Sequence, residues 1–134
     1  MGEVFDLVAV RTDETSVRIV IELLENPIGL QMASHGVPGV RFEGDNLFKC
    51  LIDARLELES RGLLLCCQGC RPDVFPSGML QQMNGGRFAY KLHRNAPLSE
   101  SDIVDIFAPA EPSEVASVSS QRAAVMEFFG SHRR

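Results

Sequence analysis

A clean alternation of apolar and polar residues from Ser16 to Leu24 constrains the fold more than any other feature. Its apolar positions are Val17, Ile19, Ile21 and Leu23, and Val20 interrupts the polar set. A period of two predicts a β-strand with one face on a core. The apolar segment Val4–Val10 precedes it, and the Asp and Thr side chains of Thr12–Thr15 favour a turn between them. We therefore expect an N-terminal β-hairpin.

Residues 26–44 lose this periodicity, because proline or glycine occurs at positions 27, 29, 36, 38, 39 and 44. Both residue types interrupt helices and central strands. We expect a long loop over residues 26–44 that lies over the core, with a short edge strand at Val40–Phe42. The loop could be a simple connector or a segment that contacts a partner.

Helical periodicity extends from Asn46 to Arg61. The apolar residues that share one face are Leu47, Leu51, Ala54 and Leu58. Asp45 is the expected N-cap, because its carboxylate can accept hydrogen bonds from the first free amides of a helix. We expect this helix to be the main packing partner of the sheet.

Three further segments of the second half predict strands. Leu63–Cys66 is apolar on both faces, which is typical of an interior strand. Arg87–Arg94 alternates, which predicts an amphipathic strand with a basic outer row. Its inner residues would be Phe88, Tyr90 and Leu92. Ile103–Phe107 could form a short strand or one helical turn, and its β-branched residues favour the strand.

The remaining segments complete an α+β fold. Pro76–Met83 predicts one or two turns of helix, residues 108–113 a stiff connector, and Ser119–Phe129 a closing helix with Ser117 or Ser119 as its N-cap. The whole predicts a single domain over residues 1–134, with residues 1–3 and 131–134 frayed. Its architecture would be a mostly antiparallel sheet of four to six strands with two main helices packed on it.

Charge narrows the classes of function. The 134 residues include 18 acidic and 13 Lys or Arg side chains, for a net charge of −5. This balance disfavours nucleic-acid binding, which needs a basic surface to neutralise phosphates. No apolar stretch approaches the roughly 20 residues of a membrane-spanning helix, and the start lacks the pattern of a secretory signal. We expect a cytoplasmic protein with no membrane partner.

A C-x-x-C pair, Cys67 and Cys70, follows directly after Cys66. A redox dithiol needs a thiol at a helix N-terminus, and the Arg-Pro that follows leaves no room for a long helix. A zinc site needs four ligands. The other Cys and His residues are scattered at Cys50, His35, His93 and His132. The sequence favours a core Cys66 and reduced loop thiols at the other two, with no metal and no cofactor.

Polar side chains concentrate between Cys67 and Arg87, in turns between ordered elements, where binding sites often lie. The candidate ligand-binding or partner-binding residues are Arg71, Asp73, Ser77, Arg87 and Tyr90. We expect Asp73 to lie close to one or both arginines, and its pKa to fall, because a nearby guanidinium favours the carboxylate. No catalytic constellation is visible in the sequence.

One pattern covers about half of the chain. It consists of Arg61-Gly62, Leu65-Cys66, Gly69-x-Arg71-x-Asp73-Val74-x-Pro76-Ser77-Gly78-Met79, Gln82-Met83-x-Gly85-Gly86, Ala89-Tyr90 and Asp105-Ile106-Phe107. This pattern resembles a group of small bacterial proteins with no assigned activity, and the chain departs from it at Cys67 and Cys70. The resemblance implies a bacterial cytoplasmic protein and transfers no catalytic residue.

Two functions remain open on the sequence. The first is a non-enzymatic protein-binding module of regulatory or immunity type, which masks a partner such as a basic protein through an acidic surface. The second is a small enzyme or ligand-binding domain with its site around Cys67–Arg87. A pocket lined by Arg71, Asp73 and Tyr90 would favour the second function, and a flat acidic face would favour the first.

Overall fold

A computed structural model describes residues 2–34, 37–76, 85–93 and 99–131. In these ranges the chain forms two antiparallel sheets and two helices, which confirms the predicted α+β class. The strands are β1 (Val4–Val10), β2 (Ser16–Glu25), β3 (Ile28–Ser34), β4 (Val37–Glu43), β5 (Leu64–Leu65), β6 (Val74–Phe75), β7 (Phe88–Lys91) and β8 (Ile103–Asp105). The helices are α1 (Leu47–Glu59) and α2 (Val118–Ser131). Neither helix is long and apolar enough to span a membrane, among the residues described.

The N-terminal hairpin is confirmed. Strands β1 and β2 pair in antiparallel register from Val4 opposite Glu22 to Val10 opposite Ser16. In the turn, the Asp13 carboxylate accepts hydrogen bonds from the Thr15 amide and hydroxyl, at 3.0 and 2.6 Å. Residues 1–3 are expected to be frayed, but the Glu3 carbonyl accepts a hydrogen bond from the Leu23 amide at 2.9 Å.

The long loop predicted over residues 26–44 is wrong, because β3 and β4 occupy most of it. The five-stranded sheet has the order β4-β3-β2-β1-β5, so β4 is an edge strand, where a proline such as Pro38 is tolerated. The sheet requires glycine at position 29, since a Cβ there would lie 2.5 Å from the Phe42 carbonyl oxygen. Its lack of a Cβ lets β3 and β4 approach each other.

Helix α1 packs its apolar face on this sheet, as predicted. Its buried residues include Leu47, Phe48, Leu51, Ala54 and Leu58. The N-cap is Asn46 rather than the predicted Asp45, because the Asn46 side chain accepts from the Lys49 amide at 2.9 Å. The helix therefore begins one residue later than the charge pattern indicates.

Among the described residues, strand β5 pairs with β1 alone and so lies at the other edge of the sheet, not in its interior as predicted. The chain then forms a 3₁₀ turn at Gln68–Cys70 and enters the three-stranded sheet, of order β6-β7-β8. The predicted connector at 108–113 is ordered, because Pro109 forms a β-bridge with Cys67 and a further 3₁₀ turn spans Pro112–Glu114.

Strand β7 confirms the predicted strand at Arg87–Arg94, although its faces differ from the prediction. Ala89 is fully buried, whereas Phe88 and Tyr90 are only half-buried. Strand β8 confirms the strand predicted at Ile103–Phe107. The predicted Ser117 cap of α2 is also confirmed, since its hydroxyl accepts from the Ser120 amide at 3.1 Å.

The helix predicted at Pro76–Met83 lies almost wholly outside the described residues, as do His35, Arg94 and residues 132–134.

Candidate functional site

Arg71 lies between two carboxylates. Its Nε and Nη2 donate to the two carboxylate oxygens of Asp73, each at 2.9 Å, and its Nη1 donates to Glu114 Oε2 at 2.8 Å. The expected proximity of Asp73 to an arginine is thus confirmed for Arg71. Burial raises the pKa of Asp73, but the hydrogen bonds and positive charge of Arg71 outweigh it and hold that pKa below its ordinary value.

Arg87 forms a second cluster of the same kind. Its guanidinium contacts both carboxylate oxygens of Glu3, and its Nη2 also donates to Asp105 Oδ2 at 3.1 Å. The rings of Phe5 and Phe88 each lie 5.5 Å from the guanidinium carbon, which adds cation–π contact. Arg87 does not pair with Asp73, so the structure separates two residues that the sequence placed in one candidate site.

The basic row predicted on β7 is not a free cationic patch. Arg87 is paired as described, and His93 Nε2 lies 2.9 Å from Asp102 Oδ1. Lys91 is near enough to Asp73 to lower its pKa. Tyr90 is half-buried opposite Phe75 and Ile103, and Ser77 lies outside the described residues.

Carboxylates outnumber cationic side chains in this part of the molecule. The three-stranded sheet and the segments bound to it carry Glu3, Asp73, Glu100, Asp102, Asp105, Glu111 and Glu114, which we call the acidic surface. The described residues of the same segments include Arg71, Arg87 and Lys91, so seven carboxylates are present for three Lys or Arg side chains. Glu100 and Glu111 are exposed, and neither forms an ion pair with a described residue.

Cys67 and Cys70, which the sequence indicates are reduced loop thiols, are free thiols as expected but lie in the core, at the two ends of the 3₁₀ turn. Both are fully buried, and their sulfur atoms lie 3.4 Å apart. Burial raises the pKa of the Cys66 thiol, which donates to the Leu64 carbonyl oxygen at 3.7 Å. Among the described residues no group of three or more metal-ligating side chains is present.

A buried arginine supports the turn that carries these thiols. Arg55 of α1 is only 1% exposed, and its guanidinium donates to the Gly69 and Ala116 carbonyls at 3.3 and 3.0 Å. The Gln121 amide of α2 donates to the carbonyls of Gly69 and Arg71, both at 2.8 Å, and of Val74 at 3.1 Å.

Sequence reasoning missed Arg55 and Gln121. A signal was present for both, because each shares a helix face with apolar residues. Arg55 follows Leu51 by four positions and precedes Leu58 by three, and Gln121 lies three positions after Val118 and four before Val125. A polar residue on an apolar face indicates a buried hydrogen-bonding group.

Two cavities lie away from the predicted residues. One of about 260 Å³ lies between the five-stranded sheet and α1, and is lined by residues such as Ile19, Met32 and Leu58. The other, of about 420 Å³, lies between α1 and α2, beside Phe48, Phe75 and Val125. Neither is lined by Arg71, Asp73 or Tyr90, the lining that would favour a ligand site.

Comparison with protein-family models gives no match, and comparison with curated proteins gives none.

Proposed function

We propose that this chain is a non-enzymatic protein-binding module of regulatory or immunity type, which masks a basic partner through the acidic surface. The observation that carries the proposal is the excess of carboxylates over cationic side chains around the three-stranded sheet. Complementary charge is sufficient for such a protein, because it steers the encounter and selects the partner without chemistry.

The internal ion pairs support this role because they do not cancel the negative charge. Arg71 holds Asp73 and Glu114, and Arg87 holds Glu3 and Asp105, so each cluster keeps one negative charge in excess. The arginines also fix the positions of these carboxylates, through bidentate hydrogen bonds to Asp73 and to Glu3. A preordered charged surface loses less side-chain entropy when it binds.

The exposure of the carboxylates also supports binding of a basic partner. Glu100 and Glu111 are exposed, and the Glu3 side chain is 60% exposed even though it pairs with Arg87. Arg71 and Arg87 are mostly covered, with side chains 15% and 21% exposed. A partner would therefore meet carboxylate oxygens more than guanidinium groups.

The test compares two double variants of equal charge. Glu100→Lys with Glu111→Lys reverses two exposed carboxylates of the acidic surface, and Glu25→Lys with Asp53→Lys makes the same change of charge at exposed positions elsewhere. Binding of an oligolysine peptide is measured by calorimetry at low ionic strength.

We expect the first double variant to lose about tenfold more affinity than the second, which corresponds to about 1.4 kcal/mol. Equal losses in the two variants would show that only net charge matters and would overturn the proposal.

A further inference from the structure

The buried Cys67–Cys70 pair has a geometry suited to disulfide formation. The two sulfurs lie 3.4 Å apart, both thiols are free, and Cys67 precedes the 3₁₀ turn that carries Cys70. A disulfide needs a sulfur–sulfur distance of about 2.05 Å, so closing the bond requires an approach of roughly 1.4 Å. Side-chain rotation within one short turn can provide that movement.

The turn that carries the pair is also held by a buried cation, Arg55, that has no anionic partner among the described residues. The Arg55 guanidinium is held by the Gly69 and Ala116 carbonyls and by Gln121 Oε1, all of them uncharged. No carboxylate of the described residues lies within salt-bridge distance of it. Burying an uncompensated charge is costly. A thiolate in the turn that Arg55 holds would supply the missing negative charge.

From this arrangement we propose that Cys67 and Cys70 are an oxidation site at which a hydroperoxide converts the thiol pair into an intramolecular disulfide. The Cys70 sulfur attacks a peroxide oxygen, the O–O bond breaks, and Cys70 becomes a sulfenic acid. The Cys67 sulfur then attacks the Cys70 sulfur, and the S–O bond breaks. With hydrogen peroxide, two thiols are oxidised to one disulfide while the peroxide is reduced to two molecules of water.

The charges around the pair assign these two roles. Burial raises the pKa of Cys70, but the hydrogen bond from Cys67 and the positive charge of Arg55 outweigh burial and lower it below its ordinary value. Glu59, also on α1, opposes this effect. The pKa of Cys67 is raised well above its ordinary value by its hydrogen bond to Cys70 and by burial. Cys70 is therefore the attacking thiolate and Cys67 the resolving thiol.

Burial implies that the peroxide reaches the pair through a local opening. Gln121 of α2 covers the turn by binding the Gly69, Arg71 and Val74 carbonyls. The oxidation rate should therefore rise when mild denaturant increases the population of locally open forms.

The test treats the reduced full-length protein with hydrogen peroxide, with and without sub-denaturing urea, and then alkylates the remaining thiols in denaturant. Peptide mass spectrometry locates any disulfide. We expect two of the four thiols to be lost, a Cys67–Cys70 bond that a dithiol reductant reverses, and faster loss in urea. Cys66→Ala should leave this result unchanged, and Cys67→Ala should leave a Cys70 sulfenic acid that dimedone traps.

Four alkylated thiols after peroxide, in urea as well as without it, would overturn the proposal. A bond that includes Cys66, or oxidation of Cys70 only to a sulfinic acid in the wild-type chain, would overturn it as well. Because the mapping is done on the wild-type protein, the result does not depend on whether any variant folds.

Discussion

The side chains of Arg55 and Gln121, 66 residues apart in sequence, are joined by a buried hydrogen bond of 2.5 Å from Nη1 to Oε1. This bond links α1 to α2, and both side chains also bind the Gly69 carbonyl between the two cysteines. The C-x-x-C turn is thus held from two helices. The position of Arg71, which follows this turn directly, depends on the same contacts.

Replacing Gln121 by Met should therefore destabilise the protein strongly. The change removes the acceptor for Arg55 and the donor for the carbonyls of Gly69, Arg71 and Val74. We expect a loss of about 2–4 kcal/mol in the free energy of unfolding, because each buried polar group left without a partner costs about 1–3 kcal/mol. Urea denaturation measures this loss of stability. Arg122→Met at the exposed neighbouring position should change stability by less than about 0.5 kcal/mol, and equal losses would contradict the role of Gln121.

The start of α1 gives a second prediction. Asn46→Ala should destabilise the protein by about 0.5–2 kcal/mol, because it removes the side chain that accepts from the Lys49 amide. Asp45→Ala should have a smaller effect, since Asp45 is exposed and precedes the cap. Thermal and urea unfolding of the two variants show which of the two residues caps α1. A larger loss for Asp45→Ala would restore the cap expected from the sequence.

Asp73 should make stability depend on acid pH. Its folded pKa lies below the ordinary value of 3.8, so the Arg71 pairing stabilises the fold fully above that value and is lost as pH falls through the lowered pKa. Because the Asp73 side chain is 38% exposed, we expect Asp73→Asn to cost only about 0–1 kcal/mol at neutral pH.

The measurement is urea unfolding of wild type and Asp73→Asn, at neutral pH and at a pH below the lowered pKa. The difference between them should disappear at the acid pH. Asp53→Asn, at an exposed position of α1, serves as the control for loss of a carboxylate. A deficit of the same size at both pH values would show that the Asp73 pairing is not the cause.

Local patterns explain which parts of the fold could be predicted. The β1–β2 hairpin and α1 follow from periodicity within single segments, where the apolar spacing and the burial agree. The error at residues 26–44 has a physical cause. Pro38 and Gly29 read as interruptions in isolation, but an edge strand tolerates proline and the close approach of β3 and β4 requires glycine at position 29.

Sequence separation explains which contacts of the candidate site could be predicted. The Arg71–Asp73 pair was predictable because the two residues are two positions apart. The Arg87–Glu3 pair spans 84 positions and arises only when the start of the chain reaches the three-stranded sheet. Glu114 likewise reaches Arg71 from 43 positions away. Such contacts depend on tertiary packing, which one sequence without its structure does not specify.

We propose that the acidic surface steers a basic partner, and the salt dependence of the association rate tests this proposal. Stopped-flow mixing with a labelled oligolysine peptide measures that rate for the wild type and for both double charge-reversal variants. We expect a wild-type rate constant that falls steeply as ionic strength rises, and the same for Glu25→Lys with Asp53→Lys. Glu100→Lys with Glu111→Lys should remove most of that dependence. An equally steep dependence in all three proteins would show that the acidic surface does not steer the partner.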